Sequence, residues 1–349
     1  MFLWRWLVEE DALTKKLRAY SAKNVKISEA DMARSRNLVK DYVENQVMMY
    51  CREKTSIPIS RLEYTGSVYE RLKTEAADEV DVMVVLKTTK PWFWGDPEVM
   101  VEDTDVPGYV RLKAKEDSNL RRYVGPGGYI NPERLRNGWF YGLVVKAVGN
   151  FEKEFPRSDI EMTVRNHGPA VQLDIFKKET SEFLLSVDLI PCFQTGSDQS
   201  YFVPKRYTGQ RYDSSPDLLW RQSFSLEEKA LLRDMDRDSG CRHELLRILK
   251  TIANKERSSL GRLESYHLKT AFMHYIKEKP DDWDRFSLGK HFHGFLQHLH
   301  AYLAKGDLPH YWLPGINLLE DINPVVVGQM AGRVKRILNS DAEMNKILE

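Results

Sequence analysis

Residues 66–86 read GSVYERLKTEAADEVDVMVVL, and this segment says more about the architecture of the chain than any other. From residue 79 onward, β-branched residues alternate with other residues, a pattern that predicts a buried strand. A strand places Glu79 and Asp81 on one face, roughly 7 Å apart at about 3.3 Å of rise per residue. Burying two like charges is costly unless a cation offsets them, so the pair predicts a divalent-metal site.

The same segment begins with Gly66 and Ser67, which precede a short helical run. This order places backbone N–H groups and a hydroxyl at a helix N-terminus, where an anion is stabilised. We therefore expect a phosphate-binding turn. For Ser67 the alternative is an ordinary helix N-cap, and one residue can serve in both roles.

A Gly-Ser turn, an acid-x-acid strand and a third acid, in this order, resemble the nucleotidyltransferase superfamily, and more narrowly cyclic GMP-AMP synthase and the Mab-21 family. Residues 168–191, GPAVQLDIFKKETSEFLLSVDLIP, resemble the strand pair that carries the third acid in that family. The resemblance covers most of the chain after residue 60. Further blocks follow in the family's order: WRQSFS at 220–225, GCRHELLRILK at 240–250, SYHLKTAFMH at 265–274 and WDRFSLG at 283–289.

The resemblance implies an α+β fold of the bilobal nucleotidyltransferase type. A mixed β-sheet core and a long N-terminal spine helix are expected, with a C-terminal helical lobe. We expect N-terminal helices, including the spine helix, over 1–58, a nucleotidyltransferase core over 59–206 and a Mab-21-type helical domain over 207–349.

Periodicity and capping signals predict the individual elements. Asn131 followed by Pro132 is a strong helix start, and Ser28-x-x-Asp31 is a capping-box variant. The glycine-rich residues 125–128 lack the spacing of a phosphate loop, so we expect a plain turn. We expect strands over 59–64, 79–87, 109–114, 159–164, 168–177 and 183–193, and a long loop over 91–106. We expect helices over 4–22, 28–53, 132–153, 225–235, 241–254, 265–278, 288–304 and 323–338.

Composition sets the class of protein. The chain has 349 residues and a formal net charge of +1, so its overall charge argues neither for nor against a polyanionic partner. Its three cysteines show no CxxC spacing, which is typical of a reducing compartment rather than of a disulfide framework. The apolar N-terminal stretch MFLWRWLVEEDAL is too short to span a bilayer and lacks a small-residue cleavage site. We therefore expect a cytoplasmic protein with no membrane partner.

By the resemblance, Glu79, Asp81 and Asp188 are the catalytic acids and hold two Mg²⁺ (or Mn²⁺) ions. The resemblance also implies that Asp188 helps to deprotonate the attacking ribose hydroxyl. Nucleotidyl transfer needs such ligands, because the ions neutralise the triphosphate and stabilise the leaving pyrophosphate. The alternative is that these are surface carboxylates on strand edges. Asp174 lies on a neighbouring apolar strand, and we expect it to be outward facing or hydrogen bonded.

The resemblance also implies residues that bind nucleotide. Gly66 and Ser67 are expected to hold the β- or γ-phosphate, and Lys250 the triphosphate. Ser265 is expected to contact phosphate and Tyr266 to stack on a base. For Lys250 and Tyr266 the alternatives are a solvated lysine and a core tyrosine. The family's base-reading strand matches Arg221, Ser223 and Ser225, although Ser225-x-x-Glu228 is equally a capping box.

Departures from the family limit what the resemblance implies. Ile190 stands where cyclic GMP-AMP synthase has a threonine that contacts the base, so the base preference does not transfer. Cys241 and His243 lie where that enzyme has its zinc-binding insertion, but its His-Cys-Cys-Cys set is absent. Because a structural zinc needs four ligands, we expect none. Four further histidines are interpreted as part of a polar helix face and not as a metal site. They are His291, His293, His298 and His300.

The resemblance favours a nucleic-acid-activated enzyme of innate immune sensing. It would join two nucleoside triphosphates, ATP, GTP or others, into a cyclic dinucleotide. Two alternatives stay open: a catalytically silent Mab-21-type protein that binds nucleotide or acts as a scaffold, and a linear oligoadenylate synthase. The presence of all three acids favours the enzyme. The two bases and the phosphodiester linkages stay open.

The expected trigger is double-stranded RNA in preference to double-stranded DNA. Without the zinc-binding insertion, the duplex would rest on basic residues that contact mainly phosphates. An A-form duplex differs in backbone spacing and presents 2′-hydroxyls across a shallow minor groove, which a flat face accepts. The alternative for the spine-helix residues is an ordinary solvated face, and we also consider a dimer that forms on the ligand. The expected face comprises Arg34, Arg36, Lys40, Lys255 and Arg257.

Overall fold

The computed structural model describes residues 11–25, 29–74, 78–88, 98–196, 198–208 and 215–349. The chain divides into two compact units. The sheet unit comprises Ser28–Glu70 and Ala76–Ala230, and the helical unit comprises Met1–Ile27, Arg71–Glu75 and Leu231–Glu349. The domain spans 1–58, 59–206 and 207–349 stay a prediction from sequence.

The sheet unit is built on a mixed sheet of nine strands among the described residues. The strands are β1 Ile59–Thr65, β2 Glu79–Leu86, β3 Val99–Asp103, β4 Tyr109–Ala114, β5 Ile160–His167, β6 Ala170–Lys177, β7 Glu182–Thr195, β8 Ser200–Val203 and β9 Leu219–Ser223. Their order is β1-β2-β7-β8-β9-β4-β3, and β6 joins β7 to β5. The pair β2–β7 is parallel and the other pairs are antiparallel, which confirms the expected α+β class with a mixed sheet.

The helices account for the rest of the regular structure in the described ranges. They are α1 Ala12–Asn24, α2 Glu29–Leu38, α3 Met49–Lys54, α4 Gly66–Tyr69, α5 Pro132–Leu135, α6 Gly142–Glu154, α7 Ser225–Arg233, α8 Arg242–Lys255, α9 Arg257–Leu260, α10 Ser265–Glu278, α11 Leu288–Lys305, α12 Pro324–Asn339 and α13 Asp341–Ile347. Short 3₁₀ turns lie at Asn119–Tyr123, Pro126–Gly128, Pro216–Leu218 and Arg285–Ser287. No helix that the structure describes is both long and apolar enough to cross a membrane.

The predicted long N-terminal helix is confirmed. A π-helical segment, Val39–Met48, follows α2 directly and leads directly into α3. Val39, Val43 and Val47 are fully buried at a spacing of four residues, so one face of this long helix packs in the core of the sheet unit. The proposed cap at Ser28 lies outside the described residues.

Other local signals also hold. The side chain of Asn131 accepts a hydrogen bond from the backbone N–H of Arg134 at 2.8 Å, so the predicted helix start is correct. A second π-helical segment, Arg136–Tyr141, joins α5 to α6. The glycine-rich turn is a 3₁₀ turn in which Gly127 has a φ of +71°, as its glycine content predicts.

The predicted loop over 91–106 is wrong in part, because Val99–Asp103 forms β3 (residues 89–97 lie outside the described ranges). Only Val99 of this strand is buried, so the sequence lacks the apolar alternation of a strand with a buried face. Pairing with β4 supplies its hydrogen bonds. The short strand β8 is also absent from the strands expected above, whereas β9 contains Arg221 and Ser223 of the expected base-reading strand.

Each unit has its own hydrophobic core. The sheet unit encloses Phe140, Phe193 and Trp220, whose indole N–H donates to the backbone carbonyl of Ile130 at 2.9 Å. In the helical unit, Phe272, Phe292 and Phe295 are fully buried, and α1 contributes Leu17 and Tyr20 to the same cluster. Functional side chains in each unit are therefore supported by a core of that unit's own.

Candidate metal and nucleotide site

The parallel pairing of β2 with β7 brings the three predicted acids together. Asp81 lies directly opposite Asp188 in the register, and Glu79 lies opposite Ser186. One ligand oxygen from each of Glu79, Asp81 and Asp188 lies within 4.8 Å of the other two. Glu79 is exposed, Asp81 is half-buried and Asp188 is buried. Carboxylate oxygens at this separation suit a hard divalent cation such as Mg²⁺ or Mn²⁺.

The two carboxylate oxygens of Asp188 have different surroundings. Its Oδ2 lies 3.3 Å from Nδ1 of His167. Its Oδ1 is buried and has no hydrogen-bond donor among the described residues. Burial raises the pKa of Asp188, the charges of Glu79 and Asp174 raise it further, and the hydrogen bond and charge of His167 oppose the shift. A bound cation would stabilise an ionised carboxylate oxygen that is buried without a hydrogen-bond donor, so these three acids fit a metal ion.

The neighbouring acid Asp174 is satisfied by the protein itself. Its Oδ1 accepts a hydrogen bond from Ser186 Oγ at 2.7 Å, and its Oδ2 lies 3.1 Å from Nε of Arg165. The prediction that Asp174 is hydrogen bonded is therefore confirmed. The charge of Asp174 already has partners within the protein, so no cation is needed to offset it, in contrast to the charge of Asp188.

Gly66 allows the turn before α4 to approach the acids closely. It has a φ of +79°, and a Cβ added there would lie 2.1 Å from Oδ2 of Asp81. Only glycine adopts this conformation without strain and leaves the carboxylate in place. Ser67 is half-buried, and the N-cap of α4 is Thr65, so the interpretation of Ser67 as an N-cap is wrong. The role of Ser67 toward phosphate stays a prediction.

His167 is a site residue that the sequence did not indicate. It is the last residue of β5 and is exposed, with Gly168 and Pro169 forming the turn into β6. The Arg136 guanidinium donates a hydrogen bond to the carbonyl oxygen of Gly168. The signal available in the sequence was the position of His167. It comes directly before the turn of the β5–β6 hairpin, and β6 pairs with β7, the strand that carries Asp188.

The residues matched to base reading lie at the end of β9 and the start of α7. Arg221 is paired in the register with Tyr109 of β4 and with Val203 of β8. The hydroxyl oxygens of Ser223 and Ser225 are 3.0 Å apart, and Ser225 is the first residue of α7. All three are half-buried, and their contact with a base stays a prediction.

The other predicted nucleotide residues belong to the helical unit. The Lys250 ammonium donates to the carbonyl oxygen of Leu72 at 3.0 Å. Ser265 is exposed at the start of α10. The half-buried Tyr266 has its hydroxyl 2.9 Å from Nε2 of the buried His310. Tyr266 is thus only partly buried, with its hydroxyl within hydrogen-bond distance of a histidine, and its stacking on a base stays a prediction.

The five basic residues predicted to contact nucleic acid are all exposed, and they divide between the units. Arg34, Arg36 and Lys40 belong to the sheet unit, where Arg34 lies 3.8 Å from Glu182. Lys255 and Arg257 belong to the helical unit. The Lys255 ammonium donates to Asn24 at 3.0 Å and lies 4.7 Å from the centre of the Tyr20 ring. Binding of nucleic acid by these residues stays a prediction.

The residues near the expected position of the zinc-binding insertion have structural contacts. Burial raises the pKa of the Cys241 thiol to about 12, which disfavours the thiolate that zinc requires. Nδ1 of His243 lies 2.8 Å from Asp236. His291 is buried and stacks on Trp283, with ring centres 3.7 Å apart, so its interpretation as part of a polar helix face is wrong. The expectation that no structural zinc is present stays a prediction.

Two family models match the chain. The Mab-21 protein nucleotidyltransferase domain matches residues 68–234, and the Mab-21 protein HhH/H2TH-like domain matches residues 241–336. A cyclic GMP-AMP synthase-like receptor 3 of Stylophora pistillata is 51% identical over 98% of this chain and 99% of its own. A cyclic GMP-AMP synthase-like receptor of Ctenocephalides felis is 24% identical over 79% of this chain and 71% of its own. Mitochondrial dynamics protein MID51 of Danio rerio is 26% identical over 91% of this chain and 68% of its own.

Proposed function

Because this chain belongs to the cyclic GMP-AMP synthase-like receptors of the Mab-21 nucleotidyltransferase family, we propose that it joins two nucleoside triphosphates into a cyclic dinucleotide. The family that the sequence motifs indicated is thereby confirmed. One relative is named as a mitochondrial dynamics protein, so the family match alone does not make the chain a cyclic dinucleotide synthase. The argument for that reaction comes from the acids.

The observation that carries the proposal is the cluster of Glu79, Asp81 and Asp188, whose ligand oxygens lie within 4.8 Å of one another. These three residues would hold Mg²⁺ or Mn²⁺, which neutralises the triphosphate and lowers the pKa of the attacking hydroxyl when bound. By the resemblance, Asp188 would also help to take the proton of the attacking ribose hydroxyl. The buried Oδ1 of Asp188, which has no donor among the described residues, supports a bound cation and hence the enzyme over a protein that only binds a partner.

The remaining predicted residues would bind and orient the nucleotides. Gly66 and Ser67 would present backbone N–H groups and a hydroxyl to a phosphate, and Lys250 would neutralise triphosphate charge. Tyr266 would stack on a base, which contributes about 1–3 kcal/mol without demanding a particular base. Arg221, Ser223, Ser225 and Ser265 would supply polar contacts to base and phosphate.

We also propose that double-stranded RNA activates this reaction in innate immune sensing, in the cytoplasm. The exposed Arg34, Arg36 and Lys40 would contact phosphates of the duplex on the sheet unit, and Lys255 and Arg257 would do so on the helical unit. Such contacts release counterions, so binding would weaken steeply as salt is raised. The free, buried cysteines agree with a reducing compartment.

The test is to incubate the full chain with labelled ATP, GTP, CTP and UTP, with Mg²⁺ or Mn²⁺, and with length-matched RNA or DNA duplexes. A cyclic product that appears with a duplex and disappears in Asp81→Asn would support the proposal. A linear product would identify an oligoadenylate synthase instead. Nucleotide binding without any product would identify a catalytically silent protein.

A further inference from the structure

We propose that His167 is a positioning residue that fixes the carboxylate of Asp188, holding one oxygen and leaving the other for the metal. This inference rests on the proposed function, because it assigns a role toward the ion that Glu79, Asp81 and Asp188 would share. The proposal begins from the unequal surroundings of the two oxygens. Oδ2 lies 3.3 Å from Nδ1 of His167, whereas Oδ1 has no donor among the residues that the structure describes.

The direction of the hydrogen bond follows from the chemistry of the two groups. An ionised carboxylate only accepts, so Nδ1 of His167 must carry the proton and donate it to Asp188. A donor held against one oxygen of a ligating carboxylate limits its rotation and orients the other oxygen.

The polar side chains near Asp188 on β6 and β7 donate their hydrogen bonds to groups other than Asp188. Gln172 lies opposite Asp188 in the β6–β7 register, but its side-chain N–H donates to the hydroxyl of Ser186. That hydroxyl in turn donates to Asp174 at 2.7 Å. These three side chains form a network of their own, and the described contacts of the Asp188 carboxylate do not include them. His167 is therefore the donor that the described residues offer to this acid.

The hairpin holds His167 in place although its side chain is 61% exposed. His167 pairs with Ala170 across a turn of two residues, in which Gly168 has a φ of +52°. The Arg136 guanidinium binds the carbonyl oxygen of Gly168 and thereby ties the turn to the π-helical segment of the same unit. Most of the His167 side chain lies outside the core, so removing it leaves no core cavity, and its bond to Asp188 serves the orientation of that carboxylate more than the folding of the chain.

The experiment measures Mn²⁺ affinity by calorimetry on the full chain without nucleotide. His167→Phe keeps a flat ring but removes the donor, whereas His167→Asn places an amide N–H where Nδ1–H stands. We expect His167→Phe to bind Mn²⁺ about 10-fold to 100-fold more weakly, with an unchanged melting temperature in the absence of metal. We expect His167→Asn to bind close to the wild type. His300→Phe, the same change on the helical unit, is the control and should bind as the wild type does.

The possible outcomes separate the inference from the proposed function. A wild-type chain that binds no Mn²⁺ would overturn the proposed function, and the inference with it. Wild-type binding together with equal binding by His167→Phe would overturn the inference alone. Equal losses in His167→Phe and His167→Asn would also overturn it, since the donated hydrogen bond would then not be the cause. In the activity assay, excess Mn²⁺ should restore much of the product lost in His167→Phe.

Discussion

Gly66→Ala should separate backbone strain from damage to the metal site. The residue has a φ of +79°, and an alanine in the left-handed region costs about 1–2 kcal/mol. The new Cβ would also lie 2.1 Å from Oδ2 of Asp81, far inside van der Waals contact. Asp81 has a short side chain, so its carboxylate must leave its described position in the acid cluster to relieve the clash.

The matched control is Gly315→Ala in the helical unit. Gly315 has the same φ of +79°, but a Cβ there would meet no atom within 4 Å. The strain should therefore lower the free energy of unfolding of both variants by about 1–2 kcal/mol. Only Gly66→Ala should also lose Mn²⁺ affinity, by about tenfold or more, which corresponds to about 1.4 kcal/mol or more.

The assay combines calorimetric titration of Mn²⁺ with thermal unfolding of both variants. A displacement of about 1 Å at a reacting centre can reduce the rate by about 10²-fold, so product formation by Gly66→Ala should fall further than its affinity does. Wild-type Mn²⁺ affinity in Gly66→Ala would refute the reasoning, because Asp81 could then not be a ligand in the described geometry. Equal Mn²⁺ losses in both alanine variants would attribute the effect to strain.

Further predictions concern the acids, the base-stacking tyrosine and the basic residues of the long helix. Asp188→Asn should abolish product yet raise the melting temperature of the metal-free protein at neutral pH; thermal unfolding in chelator measures this, and an unchanged or lower value would contradict it. The sign follows from the raised pKa of Asp188. Between the ordinary aspartate pKa and the higher native pKa, the native state keeps a proton that the unfolded state has already released, so the free energy of unfolding falls as pH rises through this range. Tyr266→Ala should weaken nucleotide binding about tenfold or more, from a lost stacking energy of about 1–3 kcal/mol, and unchanged affinity would remove the stacking role. Arg34→Glu with Lys40→Glu should reduce activation by duplex RNA at fixed ionic strength, and stronger activation of the wild type by DNA would reverse the proposed preference.

Several features could be predicted because their signals are local. The alternation around Val80–Leu86 predicts a strand wherever the segment lies in the fold, and Asn131 caps its helix through a bond three residues away. The glycine-rich turn follows from the conformational freedom of glycine. The strand pattern also indicated Glu79 and Asp81 as a metal-binding pair, whereas Asp188 was found only because the order of motifs resembled a family.

The tertiary structure decided which of the acids share a site. Asp174 and Asp188 both lie on apolar strands, and no local pattern separates them. Pairing across the sheet gives Asp174 the partners Ser186 and Arg165, whereas it sets Asp188 opposite Asp81 with one oxygen lacking a donor. Strand register is a non-local property, so a shift of pairing would change these partners without changing any local signal.

Residue patterns alone predicted where the long helices and most strands lie, and they placed the acids on two of those strands. That β3 and β8 are strands came only from tertiary pairing, because pairing with neighbours replaces the apolar alternation that short or edge strands lack. Only the tertiary structure brought His167 to Asp188 and Gly66 to Asp81. His167 and Asp188 lie on β5 and β7, which are separated in the sheet by β6, and Gly66 begins α4 whereas Asp81 lies on β2. The distances of these contacts follow from sheet register and from a turn at positive φ, which residue patterns do not encode.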